Sequence, residues 1–228
     1  MGHHGPDGLS SMMKCYIIIV TSLQQNCTLL CCESSGKAAI VDPGGDVPAI
    51  IDAIQQAEVE PEKIFLTHGH MDHVGGAKEL GEQLGLTIEG PHLDDRAMIA
   101  KVADSGRRFG MKSAQPFEPD RWLKHGDQVS FGDQQLEVSH CPGHTPGHVV
   151  FYHRGVNVAL VGDVLFQGSI GRTDFPGGDH RQLIDSITQQ LWPLGDQVTF
   201  IPGHGSPSTF GQERQVNPFV ADTVLANN

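Results

Sequence analysis

Residues 67–73 read THGHMDH and follow directly on the apolar run Lys63-Ile-Phe-Leu66. Three imidazoles and one carboxylate are crowded into a single turn at the end of a predicted strand. Further donors recur at the ends of other predicted strands. HCPGHTPGH follows 135–140, Asp163 sits in LVGDVLF after 156–161, and His204 sits in IPGHGSP after 198–201. Strand ends are where a rigid scaffold aims loop side chains into one cleft. The chain is therefore constrained to folds that carry several distant strand ends to a common pocket.

The apolar pattern supplies such strands. β-Branched runs at 14–20, 26–32 and 37–41 are separated by turn-like segments. Ile50, Ile51, Ile54 and Ala57 share one face of a predicted helix over 47–57. A strand at 63–67 follows, then helices at 74–84 and 93–103. Residues 105–120, with Arg107, Arg108, Lys112 and two prolines, are irregular and read as a lid or mobile loop. Strands are predicted at 128–131, 135–140, 149–153, 156–161 and 198–201, with helices at 181–191 and 208–215. An early meander followed by mixed strands and helices implies packed sheets with helices outside; the pattern leaves the strand order open.

A length of 228 residues is ample for a core, and apolar segments recur despite 28 Gly and 14 Pro. Residues 1–12 read as a tag remnant or frayed end, so His3 and His4 are set aside, and 13–228 is expected to form one domain. The net charge of −12, without a long basic run, argues against nucleic acid as a partner. No stretch approaches the ~20 apolar residues of a membrane span. The five cysteines include no CxxC, and the adjacent Cys31 and Cys32 face opposite ways on a strand. Reduced, mostly buried thiols in a cytoplasmic protein are the expected state. The oligomeric state is not legible.

His68 and His70, spaced by Gly69, can turn two imidazoles toward one ion, while Asp72 and His73 at a helix start can address a second. One ion takes about four ligands, so the donors exceed a single site. Imidazole and carboxylate without thiolate favour zinc, iron or manganese. His144, exposed by the tight turn Pro142-Gly143-His144-Thr145, is a further ligand. His148 precedes the next strand and is expected to hydrogen-bond around the site rather than bind metal. His140 alternates with apolar Val138 and faces solvent or another loop. His92, His125, His153 and His180 lack a supporting pattern and read as structural.

The ordered set Asp42, His68-x-His70-x-Asp72-His73, His144, Asp163 and His204 resembles the metallo-β-lactamase superfamily. That resemblance implies an α/β fold, a four-layer αββα sandwich of two mixed sheets with helices outside, and a dinuclear site at one edge. It implies that His68, His70 and His144 hold one ion, that Asp72, His73 and His204 hold the other, and that Asp163 bridges them. Asp42 matches the family's aspartate that hydrogen-bonds beside the site. Two divalent ions are implied, zinc first, with iron or manganese as alternatives.

The segments GDVLFQGSIGRTDFPGGD and FIPGHGSPSTFGQERQVNPF resemble glyoxalase II, in particular the short bacterial YcbL-like hydroxyacylglutathione hydrolases. The long form has a C-terminal helical domain that helps bind glutathione. This chain runs only 24 residues past His204 and is expected to lack it. Arg172 lies where longer relatives carry a cation for a glutathione carboxylate. The resemblance thus implies hydrolysis of S-acyl glutathione thioesters of the S-lactoylglutathione type, by a hydroxide held by the metal ligands. A thioester suits such a site because its thiol, of pKa about 8.5, leaves without a strong acid. Persulfide dioxygenases resemble the chain around GRTDF and would use His68, His144 and Asp163 on one iron. A lactonase or β-lactamase of the same superfamily is a further alternative.

Overall fold

The computed structural model describes residues 12–111 and 113–226. Most of the expected N-terminal tag lies outside the described residues. The chain opens with β1 (Met13–Val20), β2 (Gln25–Cys32) and β3 (Lys37–Val41), an antiparallel meander. Then come α1 (Val47–Gln56), β4 (Glu60–Phe65), α2 (Met71–Val74), α3 (Ala77–Leu84) and β5 (Thr87–Glu89). Strands β4 and β5 add in parallel, completing the first sheet in the order β1-β2-β3-β4-β5.

A 3₁₀ turn at Leu93–Asp95 leads into α4 (Arg96–Ile99) and α5 (Val102–Arg108). The second half brings β6 (Gln128–Phe131), β7 (Gln134–His140), β8 (Val149–His153) and β9 (Val158–Gly162). A hairpin of β10 (Leu165–Phe166) and β11 (Ser169–Ile170) follows, then α6 (His180–Ser186), which continues into a π turn over Ile187–Leu191. Last come β12 (Thr199–Pro202), β13 (Ser208–Thr209), α7 (Phe210–Val216) and α8 (Asp222–Leu225). The second sheet runs β13-β12-β9-β8-β7-β6.

Three apolar clusters define four layers. Leu30, Val41 and Phe65 of the first sheet meet Phe131, Phe151 and Leu160 of the second. Phe65 and Phe151 pack with ring centroids 5.5 Å apart. Each such buried side chain contributes roughly 1.5–3 kcal/mol. Ile50, Ile54 and Leu80 of α1 and α3 cover the outer face of the first sheet together with Leu29, Ile40 and Ile64. Leu183, Ile187 and Phe210 cover the outer face of the second with Val150, Val161 and Phe200. This is the expected αββα order. Cys31 and Cys32 lie in different clusters, as a strand requires.

The differences from expectation have local causes. The helix expected over 74–84 is two pieces, α2 and α3, parted at Gly75-Gly76. A side chain at Gly75 would meet the Met71 and Gly44 carbonyl oxygens at 2.5 and 2.7 Å, and one at Gly76 would meet the Pro43 oxygen at 2.8 Å. The glycines let this segment lie on the backbone after β3. The helix expected over 93–103 is broken into the 3₁₀ turn, α4 and α5. Helix α5 extends into the segment expected to be irregular. Strands β5, β10 and β11 are too short to show a two-residue period. The hairpin β10–β11 is fastened from α7: buried Glu213 accepts the Gly168 amide at 2.8 Å and the Ser208 hydroxyl at 2.6 Å, and Asn217 donates to the Ser169 carbonyl at 3.1 Å.

Candidate metal centre

The loops leaving β3, β4, β7, β9 and β12 bring the expected donors together. In one cluster His68 Nε2 and His144 Nε2 approach His70 Nδ1 to 3.1 and 3.0 Å. In the other, His204 Nε2 lies 3.1 Å and His73 Nε2 3.8 Å from Asp72 Oδ2. Asp163 stands between them. Its Oδ1 is 3.3 Å from His73 Nε2, and its Oδ2 is 3.5 Å from His144 Nε2 and 3.8 Å from His204 Nε2.

The outward hydrogen bonds set the ring tautomers. His73 Nδ1 donates to Asp42 Oδ2 at 2.8 Å. The Thr67 hydroxyl also donates to Asp42 Oδ2, at 2.6 Å, and accepts from His68 Nδ1 at 3.0 Å. His144 Nδ1 donates to the Arg172 carbonyl at 2.7 Å, and His204 Nδ1 to the Leu23 carbonyl at 3.1 Å. Each bond leaves an Nε2 lone pair facing inward, the arrangement that orients a metal-binding imidazole. His73 Nε2 and Asp163 Oδ1 are buried without a hydrogen-bond partner. Such groups are costly unless a ligand satisfies them. The two clusters and their shared carboxylate fit a dinuclear metal site.

Electrostatics follow from this crowding. Burial pushes His68 well below its ordinary value, helped by the neighbouring imidazoles. Burial and then His144 bring His70 down to about 4. For His73 burial acts downward, but the Asp163 and Asp72 carboxylates outweigh it and hold the ring well above its usual value. Burial would raise Asp163, yet the facing imidazoles, His73 first, hold it well below the carboxylate range.

Local folding explains the aim of each donor. Asp42, at φ 52°, ends β3 in the left-handed region, which aspartate tolerates better than most residues. That turn points its carboxylate at Thr67 and His73. His148 lies outside both donor clusters: its Nε2 accepts the Asp163 amide at 3.0 Å, and its ring stacks on His68 at 4.6 Å. Gly203 brings β12 against the site. A side chain there would lie 2.2 Å from Asp163 Oδ1 and 2.5 Å from His73 Cε1.

Sequence reasoning missed Asp95. This carboxylate, 1% exposed, accepts the Gly69 amide at 2.8 Å, the Thr145 hydroxyl at 2.8 Å and the Gly147 amide at 2.6 Å. It ties the loop of His68 and His70 to the loop of His144. Arg172 is exposed, holds Asp174 through Nε and Nη2 at 3.0 and 2.7 Å, and lies 4.4 Å over the Phe175 ring. Its carbonyl, rather than its guanidinium, touches the donor set. His140 donates to the Pro146 carbonyl at 2.8 Å and stacks on His92.

The clusters open into a cavity of about 980 Å³. Leu23, Met71, Phe166, Ile170 and Phe175 give it apolar walls, and Ser105, Arg108 and Phe109 reach it from α5 and the residue beyond. A volume of this size is at the upper end of the range for small-molecule sites.

The sequence profile described as Metallo-beta-lactamase superfamily matches residues 20–204. The hydroxyacylglutathione hydrolase GloC of Haemophilus influenzae is 44% identical over 209 residues, 91% of this chain and 98% of that one. Among solved structures, BLEG-1 B3 metallo-beta-lactamase superposes with a TM-score of 0.83 at 34% identity, covering 92% of this chain and 99% of that one. TTHA1623 in a di-iron-bound form gives 0.81 at 34% identity, covering 90% and 99%. No helix among the described residues is long and apolar enough to cross a membrane.

Proposed function

This chain belongs to the metallo-β-lactamase superfamily, and from that premise we propose that it is a metal-dependent hydrolase of S-acyl glutathione thioesters of the S-lactoylglutathione type. We assign His68, His70 and His144 to one ion, Asp72, His73 and His204 to the other, and Asp163 to both. The observation that carries this reading is the placement of the two Asp163 oxygens, one 3.3 Å from His73 Nε2 and the other 3.5 Å from His144 Nε2. Zinc, iron and manganese all suit the donors, and the di-iron form of TTHA1623 keeps iron in view.

Bound divalent ions would supply Lewis acidity and lower the pKa of water toward 7. The chain's own residues do the rest. Asp42, through Thr67 and directly, holds His68 and His73 in the tautomers that present Nε2. His148 fixes the Asp163 backbone. Phe166, Ile170 and Phe175 give the cavity apolar walls that would shield a bound thioester from bulk water. A glutathione thiolate departs readily, so no side-chain acid is required beside it. The name of the GloC relative points to the same substrate class. The buried thiols agree with a cytoplasmic setting.

Elemental analysis of purified protein, paired with an S-lactoylglutathione assay, tests the proposal. Two ions per chain and thioester turnover are expected; no turnover across several glutathione thioesters would sink it. A second reading, β-lactam hydrolysis, draws on the likeness to BLEG-1, and faster turnover of nitrocefin than of thioesters would favour it. Persulfide oxidation on His68, His144 and Asp163 would leave Asp72, His73 and His204 without a role; oxygen uptake with glutathione persulfide and one iron per chain would support it.

A further inference from the structure

The chain carries 27 acidic and 15 basic side chains, so its field opposes an anionic substrate at long range. Bound divalent ions would reverse that field at the donor clusters, but a substrate carboxylate held away from them needs a cation of its own on the cavity wall. Two arginines line the cavity, Arg108 and Arg172. Arg172 is already matched by both oxygens of Asp174. Arg107, beside Arg108, is matched by Asp104. Arg108 has no ion pair and no hydrogen bond among the described residues. The cavity's own carboxylates, Asp72 and Asp163, face imidazoles deeper in the pocket.

Arg108 is also favourably placed. It ends α5, and Phe109 follows it, 54% exposed and on the same cavity wall. An exposed aromatic beside an unmatched guanidinium offers an apolar surface and a forked donor together. Apolar walls lower the local dielectric, so a carboxylate gains more there than on an open surface.

We propose that Arg108 is the carboxylate-recognition residue of this cavity, selecting thioesters whose thiol portion carries a free carboxylate. This rests on the thioester reading for the identity of the substrate, but the charge preference stands on the cavity alone. The residue is a specificity determinant and touches none of the donor set. Arg172 then serves chiefly to organise the rim through Asp174 and Phe175.

The test is calorimetric titration of the whole metal-loaded protein with S-hexylglutathione and with its diethyl ester. Wild type is expected to bind the free acid more tightly. R108Q is expected to lose roughly tenfold in affinity for the acid, as fits one charge-assisted contact partly open to water, and to bind the diester within about twofold of wild type. R108K is expected to recover part of the loss, and unchanged melting of R108Q would establish that the variant folds. The proposal is overturned by wild type binding acid and diester alike or neither, by R108Q binding the acid as wild type does, or by R108Q losing both ligands equally. Turnover of S-lactoylglutathione is read separately. Its absence, there and across other glutathione thioesters, with an intact, Arg108-dependent charge preference removes the thioesterase reading and leaves this one.

Discussion

The Asp95 carboxylate accepts the Gly69 amide at 2.8 Å, in the middle of the His68-Gly69-His70 triplet. With its bonds to Thr145 and Gly147 it fixes the spacing between that triplet and His144. Asp95→Ala would leave three buried donors unsatisfied, at roughly 1–3 kcal/mol each before relaxation. The expected outcome is a stability loss of about 3 kcal/mol or more and loss of one ion per chain, read by urea unfolding and elemental analysis. Full metal content at wild-type stability would refute the staple.

Gly203→Ala places a methyl carbon 2.2 Å from Asp163 Oδ1. Either the carboxylate or β12 must move, at about 1–3 kcal/mol for overpacking. Metal content is expected to fall and thioester turnover to drop by at least tenfold. A variant that keeps both ions and its rate would show that β12 yields without disturbing Asp163.

Removal of the ions should be felt by the whole fold, because the donors come from loops of both sheets. At a hundredfold excess over Kd, one bound ion stabilises by about 2.7 kcal/mol. Removing both ions by chelation should therefore lower the melting temperature by roughly 10–20 °C, given about 2–4 °C per kcal/mol for a domain of this size. Calorimetry with and without chelator decides it; coincident transitions after verified metal loss would contradict the expectation.

His153 lies away from the donor clusters and offers a cleaner pH probe. Its Nε2 donates to Gln134 at 2.9 Å, and its Nδ1 accepts the Val156 amide at 3.2 Å. Burial holds its pKa below the usual value of 6.5. The unfolded chain therefore binds a proton more readily, and the stability from neutral His153 is present above about pH 6.5 and lost as pH falls. The gap between wild type and His153→Asn, about 1 kcal/mol at pH 8, should narrow by pH 5.5 in urea melts. A gap independent of pH would rule this out.

Legibility in the sequence tracked the range of the interactions. The seven donors stood out because each follows an apolar strand and carries metal-binding chemistry of its own. The four layers were foreshadowed by the alternation of strands and helical faces. Asp95 was invisible because its three partners lie 26, 50 and 52 positions away, and its own surroundings read as an ordinary helix start. Strands β10 and β11, of two residues each, have no period to detect. The break at Gly75-Gly76 depends on how closely the backbone after β3 approaches, which no local pattern encodes.

Glu213 grips the turn of the β10–β11 hairpin from α7, while Phe166 and Ile170 of that hairpin line the cavity. The shape offered to an incoming acyl group is thus adjustable from a helix that supplies no metal donor. Exchanging α7 among relatives gives protein engineers a handle on substrate preference that leaves the donor constellation untouched.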